Sequence, residues 1–380
     1  MTKNKLIKVI TVVVFLAALA AALYCFGRIK KEPMVSTTGY SYEKAVVTEI
    51  VRDNLMEDNI RLGSQYLKIK LLSGKYKGQI IDATSSDGSL FGAVCKVGDK
   101  VIVSLSVSGN TANAAVYSKD RTMAVVGFVA IFLILICIIG GKNGIKSVVG
   151  LAFTFFAVVF LLLPMIYTGI SPFLAAVIIA VLTTVVTMIL IGGFTKKTVS
   201  AIAGTTMGVL IAGISAWLFG KTADIDGFNV SNIETLIYVA QNTKVKVGEL
   251  LFAGILIAAL GAVMDVAMSV SSAICEINDK SPNLTLKELF KSGMNVGRDM
   301  MGTMSNTLIL AFAGSSLSTL VLNYVYDLPA RQIINSYSMG IEIMQGMAGS
   351  LGVILTVPSV AFITSVLIKK SGSHIPEKSL

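Results

Sequence analysis

Acidic side chains inside stretches otherwise suited to lipid carry the most chemical content in this sequence. Asp265 lies within the apolar run Leu250–Ile274, and its neighbours at i−11, i−4, i+4 and i+7 are Gly254, Gly261, Ser269 and Ser272. Small and hydroxylated residues therefore share its helical stripe. A carboxylate at that depth is expensive, and such groups face a bundle interior, a partner or a water pathway. The following apolar run is entered through Gly297-Arg298-Asp299 and then presents Thr303, Ser305 and Asn306. At about 1.5 Å per residue, Asp265 and Asn306 fall at similar depths from one membrane face. Two chemistries fit. In one, Asp265 is a protonatable or cation-facing group, Asn306 its polar partner, and Arg298 and Asp299 the entrance. In the other, Asp265 is a carboxyl hydrogen-bonded to Asn306 or Ser269 that fixes helix register.

A second acidic position, Glu342, lies three residues before Gln345 near the opposite face, among Gly340, Gly346, Gly349 and Gly352, with Pro358 further in. Glu342 is either an interfacial residue or the second carboxylate of a proton or cation route. Gly314-Ser315-Ser316 either interrupts the seventh apolar segment, as at transporter sites, or serves tight packing. The methionines gathered in the last three segments, Met264, Met268, Met300, Met301, Met304, Met339, Met344 and Met347, read as adaptable packing, because no cysteine ligand lies at matching depth beside them. The only histidine, His374, follows the last apolar segment, and the four cysteines show no C-x-x-C spacing. No metal or cofactor is expected. There is no Walker loop, G-x-S-x-G elbow or H-E-x-x-H, and a serine without a base is a weak nucleophile, so no enzyme is expected.

The elements that position these groups are membrane spans. Of the 380 residues, 54% are hydrophobic and 14% charged, against about 25% charged in ordinary soluble domains. Eight stretches of about 20 apolar residues qualify: Leu6–Phe26, Thr122–Ile139, Val148–Tyr167, Phe173–Ile191, Val199–Phe219, Leu250–Ile274, Met300–Tyr324 and Tyr337–Ile368. Alternate flanks hold 14 Lys and Arg, whereas the opposite flanks after the second stretch hold only Lys221, Lys244, Lys246 and Arg331. This places both termini in the cytoplasm. Arg28, Lys30 and Lys31 oppose that assignment locally, and Tyr167, Trp217, Tyr324, Tyr326 and Tyr337 support it as outer-interface anchors. The first stretch reads as a retained anchor, with cleavage after Ala18-Leu19-Ala20 as the alternative. The net charge of +10 sits in the flanks, where it meets anionic lipid.

Between the first two stretches the period changes from helical to two. Leu67, Ile69 and Leu71 alternate with lysines, and Val101, Val103, Leu105 and Val107 alternate with Ile102, Ser104 and Ser106. With Ala45–Val51, Gln79–Ala83 and Ala114–Tyr117 they predict five short strands and a small closed barrel of the OB type, outside the cell. From Glu32 to Arg121 there are 11 basic and 10 acidic residues. Without a basic aromatic face, nucleic-acid binding is not expected, and a spacer or protein-docking module is. Asp53, Glu57 and Asp58 lack the calcium-loop pattern and read as a solvated turn. Cys25 and Cys95 share a side of the membrane, and the sequence does not decide whether they pair.

The expected organisation is thus an α-helical polytopic membrane protein of about eight spans. Residues 1–31 form the anchor, 32–121 the outer β domain, 122–370 a seven-helix membrane domain and 371–380 a cytoplasmic tail. Two S/T-x-x-E boxes, Ser231–Glu234 and Thr285–Glu288, each open an amphipathic loop helix, and the second is expected to lie along the inner surface.

The runs Gly261-Ala-Val-Met264-Asp265-Val-Ala-Met268-Ser269 and Gly297-Arg298-Asp299-Met-Met301-Gly302-Thr303-Met304-Ser305-Asn306-Thr307-Leu308-Ile309-Leu310-Ala311 resemble the signature region of the YibE/F-like bacterial membrane proteins. The resemblance covers the chain from about Met123 onwards. It implies a multi-pass bacterial membrane protein, allows assembly with a copy or paralogue, and carries no catalytic or binding residue with it. The expected function is a permease for an ion or small solute. The alternative is a membrane scaffold that binds proteins through the outer barrel and the Thr285–Met294 helix.

Overall fold

The computed structural model describes residues 40–54, 63–87, 92–108, 111–230 and 233–372. The expected first span, Tyr24, Cys25, Glu57, Asp58, Ser231 and residues 373–380 lie outside the described residues. The chain divides into two compact units, one spanning Lys31–Leu135 and the other dominated by Ile136–Leu380.

The first unit contains five strands, β1 (Tyr40–Asp53), β2 (Gly63–Leu71), β3 (Ile80–Asp87), β4 (Lys100–Ser108) and β5 (Thr111–Lys119). They close into a barrel in the order β1-β2-β3-β5-β4, with β4 returning to β1. The alternation visible in the sequence fills it: Val47, Leu67, Ile69, Leu71, Val101, Val103 and Leu105 are buried, and the intervening residues face outward. All described seams are antiparallel except β3–β5, which pairs in parallel at Ala83–Ala114 and Thr84–Ala115. β1 is long enough to serve both neighbours because it bulges between Val47 and Glu49 and between Ile50 and Arg52.

A segment without regular structure is fastened into the barrel by two buried polar side chains. Gln65 accepts from the Cys95 amide at 2.8 Å and donates to the Cys95 carbonyl at 3.3 Å and to Asp53 at 2.9 Å. Ser85 donates to the Ala93 carbonyl at 2.6 Å and accepts from the Ala93 amide at 3.2 Å. These contacts replace the ladder bonds that a sixth strand would have made.

The second unit is helical. After α1 (Thr122–Tyr167) come α2 (Pro172–Gly192), α3 (Lys196–Thr222), α4 (Ile233–Asn242), α5 (Leu250–Lys280), α6 (Leu286–Ser315), α7 (Leu317–Val325), α8 (Ala330–Ile334) and α9 (Tyr337–Gly372). Among the described residues, five helices are long and apolar enough to cross a membrane, or six if α6 and α7, bent by 62°, make one span.

Two of the expected spans, Thr122–Ile139 and Val148–Tyr167, fall within one helical run of 46 residues. That run breaks at Gly141, whose φ of 53° and ψ of −131° lie outside the helical region. Residues eight apart in a straight helix are about 12 Å apart, yet a Cβ on Gly144 would strike the Ile136 carbonyl. The chain therefore turns sharply here, between two apolar arms.

Glycine sets the closeness of packing in the bundle. The longest helix contacts are those of α9 with α3, α6 and α5, and of α3 with α5. A Cβ on Gly208 of α3 would run into Thr356 of α9 and come within 2.7 Å of Val263 of α5. Small residues at such crossings let backbones approach where lipid supplies no hydrophobic drive.

The helix opened by Thr285 departs from expectation. Its capping box is present, with the Thr285 amide donating to Glu288 at 2.7 Å and the Glu288 amide to Thr285 at 3.3 Å. It does not stop after three turns at a surface, however. It continues as α6 to Ser315, and Leu289, Gly293 and Gly297 are buried. Gly293 lies against Ile274 and Ala361, and Gly297 against Val357. Two glycines one turn apart fasten this helix onto α5 and α9.

Candidate functional site

Asp265 is exposed on α5, on the outer side of its own bundle. Gly254, Ala258 and Gly261, which precede it on the same stripe, are exposed as well, and a Cβ at Gly254 or Gly261 would meet nothing within 4 Å. The neighbouring helix has an exposed stripe of its own. Asp299, Gly302, Thr303, Asn306 and Thr307 on α6 are exposed, and a Cβ on Gly302 would again meet nothing. Gly293 packs on Ile274, so counting nine residues along the two antiparallel helices sets Asp265 at the same axial height as Gly302, with Asn306 offset by one further turn, about 6 Å along the axis. Nine residues are two and a half turns, so Asp265 and Gly302 each lie about half a turn around their helices from the Ile274–Gly293 contact and do not face one another.

Neither Asp265 nor Asn306 makes a hydrogen bond or ion pair with another described residue. Ser269 is half-buried on α5, and Arg298 and Asp299 are exposed on α6. Five of the seven residues singled out from the sequence thus lie on α5 and α6, and no described contact joins those of one helix to those of the other. They do not close into a cavity. The nearest cavity, of about 440 Å³, is lined by Thr154, Thr183, Thr187, Gly261 and Met264 among others, and Asp265 is not among its lining residues. Its hydroxyls are mostly turned back onto their own helices: Thr154 donates to the Gly150 carbonyl at 3.0 Å and Thr183 to Ile179 at 2.8 Å.

Glu342 and Gln345 lie elsewhere, both half-buried on α9. Glu342 borders a cavity of about 170 Å³ where α6 gives way to α7, with Ile309, Phe312, Ser316, Leu320 and Met339. The Gly314-Ser315-Ser316 run does interrupt the helix. The Ser316 amide donates to the Phe312 carbonyl at 3.1 Å and the Ser315 hydroxyl to the same oxygen at 2.7 Å. These bonds tighten the last turn and end the ladder. Two buried oxygens in this cavity, Glu342 Oε2 and Ser316 Oγ, have no hydrogen-bond partner.

A third polar pair was not anticipated. Ser171 caps α2 through the Leu174 amide and hydrogen-bonds Glu249, the residue before α5. The two border a cavity of about 450 Å³ with Phe173, Trp217 and Phe252. Ser171-Pro172 signals a helix start by itself, but its acidic partner is 78 residues away.

The family model for YibE/F-like proteins matches residues 128–370. The chain belongs to the YibE/F-like family. The match takes in α1 from Phe128 to α9, and so every residue named on α5 and α6 and of the Glu342 cavity. No curated protein and no solved structure matches the chain.

Proposed function

We propose that this YibE/F-like chain is a permease for an ion or small solute in the bacterial cell membrane, with its path past Asp265 on α5. The observation that carries this reading is Asp265 itself: a carboxylate in a spanning helix, without a partner among the described residues and preceded on its stripe by Gly254, Ala258 and Gly261. Hydrocarbon penalises such a group heavily, so in the assembled protein this position meets water, an ion or a partner outside the described residues. A second membrane chain, a copy or a paralogue, completes the path. Asp265 is the protonatable or cation-facing group, Asn306 on α6 a further polar group at similar depth, and Arg298 and Asp299 form the cytoplasmic end. Both termini are then cytoplasmic and residues 32–121 extracytoplasmic. The five-stranded barrel, taken in this reading as OB-like, stands outside as a docking or spacing module. No nucleic acid takes part.

The test is flux in vesicles reconstituted with the purified protein. Asp265→Asn keeps the shape of the side chain and removes its charge. Flux, or its dependence on pH, is expected to fall by an order of magnitude or more while the protein inserts normally. Unchanged flux would remove Asp265 from the mechanism.

The exposed Gly254–Gly261 stripe favours one other reading, in which α5 and α6 only dock a partner helix and the protein is a scaffold or regulatory subunit. In that case Asp265→Asn weakens the purified complex, and no flux is found in the wild type.

A further inference from the structure

We propose that Glu342 and Ser316 form a site for a single small positive charge, an alkali-metal ion or a proton, at the break between α6 and α7. The inference rests on the chain lying in a membrane and not on its transporting anything, so it stands or falls apart from the Asp265 reading.

Three independent features converge there. Glu342 Oε2 is buried and unpartnered, although an unmatched buried oxygen, and above all a charged one, carries a large desolvation cost. Ser316 is 7% exposed and its hydroxyl oxygen is likewise unpartnered. The third feature is the end of α6. This helix of 30 residues stops at Ser315, and the axis then bends by 62°. Its last carbonyls, the negative end of the helix dipole, are directed to the region where α7 departs. Carboxylate, hydroxyl and helix C-terminus are all partners for a cation, and broken spanning helices supply such oxygens in ion-coupled membrane proteins.

The remaining lining decides the charge and size. No other titratable or charged side chain borders the cavity from α6, α7 or α9; the other lining residues are apolar, including Ile309, Phe312, Leu320 and Met339. One carboxylate neutralises one charge, and calcium, which takes 6–8 oxygen ligands, is underserved. The volume of about 170 Å³ holds an ion with a few waters, each occupying about 30 Å³, and excludes a drug-sized solute. Below it, the α6–α9 seam stays polar: Ser350 donates to the Ser305 carbonyl at 3.5 Å, and the Ser305 hydroxyl is a further buried oxygen without a partner.

The experiment uses the full chain in detergent or nanodiscs. Radioactive sodium binding is measured in a choline background. The infrared carbonyl band of a protonated carboxyl is followed across pH without sodium, in wild type, Glu342→Gln and Ser316→Ala. An alkali-ion site gives saturable binding of one sodium per chain, abolished in Glu342→Gln and weakened about tenfold in Ser316→Ala. A proton site gives no sodium binding and a protonated-carboxyl band at neutral pH that Glu342→Gln removes. Wild-type protein with neither bound sodium nor such a band overturns the proposal, and it does so even if Glu342→Gln fails to fold. Sodium binding that survives in Glu342→Gln overturns it too.

Discussion

Three carboxylates show how completely surroundings decide what an acid does. Asp120 stands outside the membrane. It accepts from Thr122, whose amide is 3.0 Å away at the start of α1, and pairs with Lys44 at 3.2 Å. Those partners stabilise its charge and hold its carboxyl down to about 2 from an ordinary 3.8. Asp99 is likewise held below its ordinary value, first by the Lys119 ammonium at 2.7 Å and then by the Lys96 amide. A depressed carboxyl stabilises the fold while it is ionised. The advantage of wild type over Asp120→Ala in thermal midpoint is therefore full at neutral pH. It declines once the pH drops below 3.8 and is lost as the pH passes about 2; a pH series of melts on the two proteins measures this. Among the described residues Asp265 and Glu342 Oε2 have no such partners, and the two proposals above rest on that difference. The rarity of these two acids was legible from residue type and depth alone. Which way each would face was not, because a helical stripe shows who shares a side and not which side the neighbours cover. Asp265 came out on the bare face, whereas Glu342, read equally as interfacial, came out beside the cavity.

At the scale of elements, glycine has opposite meanings on two faces of one bundle. Gly208→Ala sets a methyl against Thr356 and within 3.1 Å of the Gly352 carbonyl. The overpacking is expected to cost about 1–3 kcal/mol, read as a lowered melting temperature in detergent. Gly261→Ile adds bulk where the chain itself has nothing within 4 Å. The single chain is expected to melt as wild type does, while flux, or recovery of a complex, falls severalfold; an unaffected complex and flux would leave the face without a partner. Helix starts and strands were readable in advance, since Thr285 with Glu288 and the alternation around Ile69 are local signals. The Gly314-Ser315-Ser316 break was also visible as one of two options. The extent of α6 was not, because the continuation past Met294 depends on Gly293 and Gly297 fitting Ile274 and Val357, residues distant in sequence. The Ser171–Glu249 pair was hidden for the same reason.

For the whole molecule, five or six spans among the described residues leave orientation to the distribution of lysine and arginine. In a cysteine-free background, Lys77→Cys on the barrel is expected to react with a membrane-impermeant maleimide in intact cells. Lys196→Cys, at the start of α3, is expected to react only after the membrane is opened. Both positions are exposed, so reversed labelling would invert the topology rather than report a hidden thiol. The family match and the helices agree on a membrane protein, and the apolar composition alone had already required one.

The parallel seam of the barrel has a mechanical consequence. Among the described residues β3 and β5 share two residue pairs, whereas each of the other four seams has at least seven. A ring gives way at its thinnest join, and here the segment held to Ser85 on β3 through Ala93 and to the Tyr117 carbonyl on β5 through the Gly92 amide bridges the gap, so this seam is expected to unroll first only once that clasp is released. What results is a curled ribbon of five strands with two raw margins, ready to be re-stitched by any extended peptide that offers its own backbone.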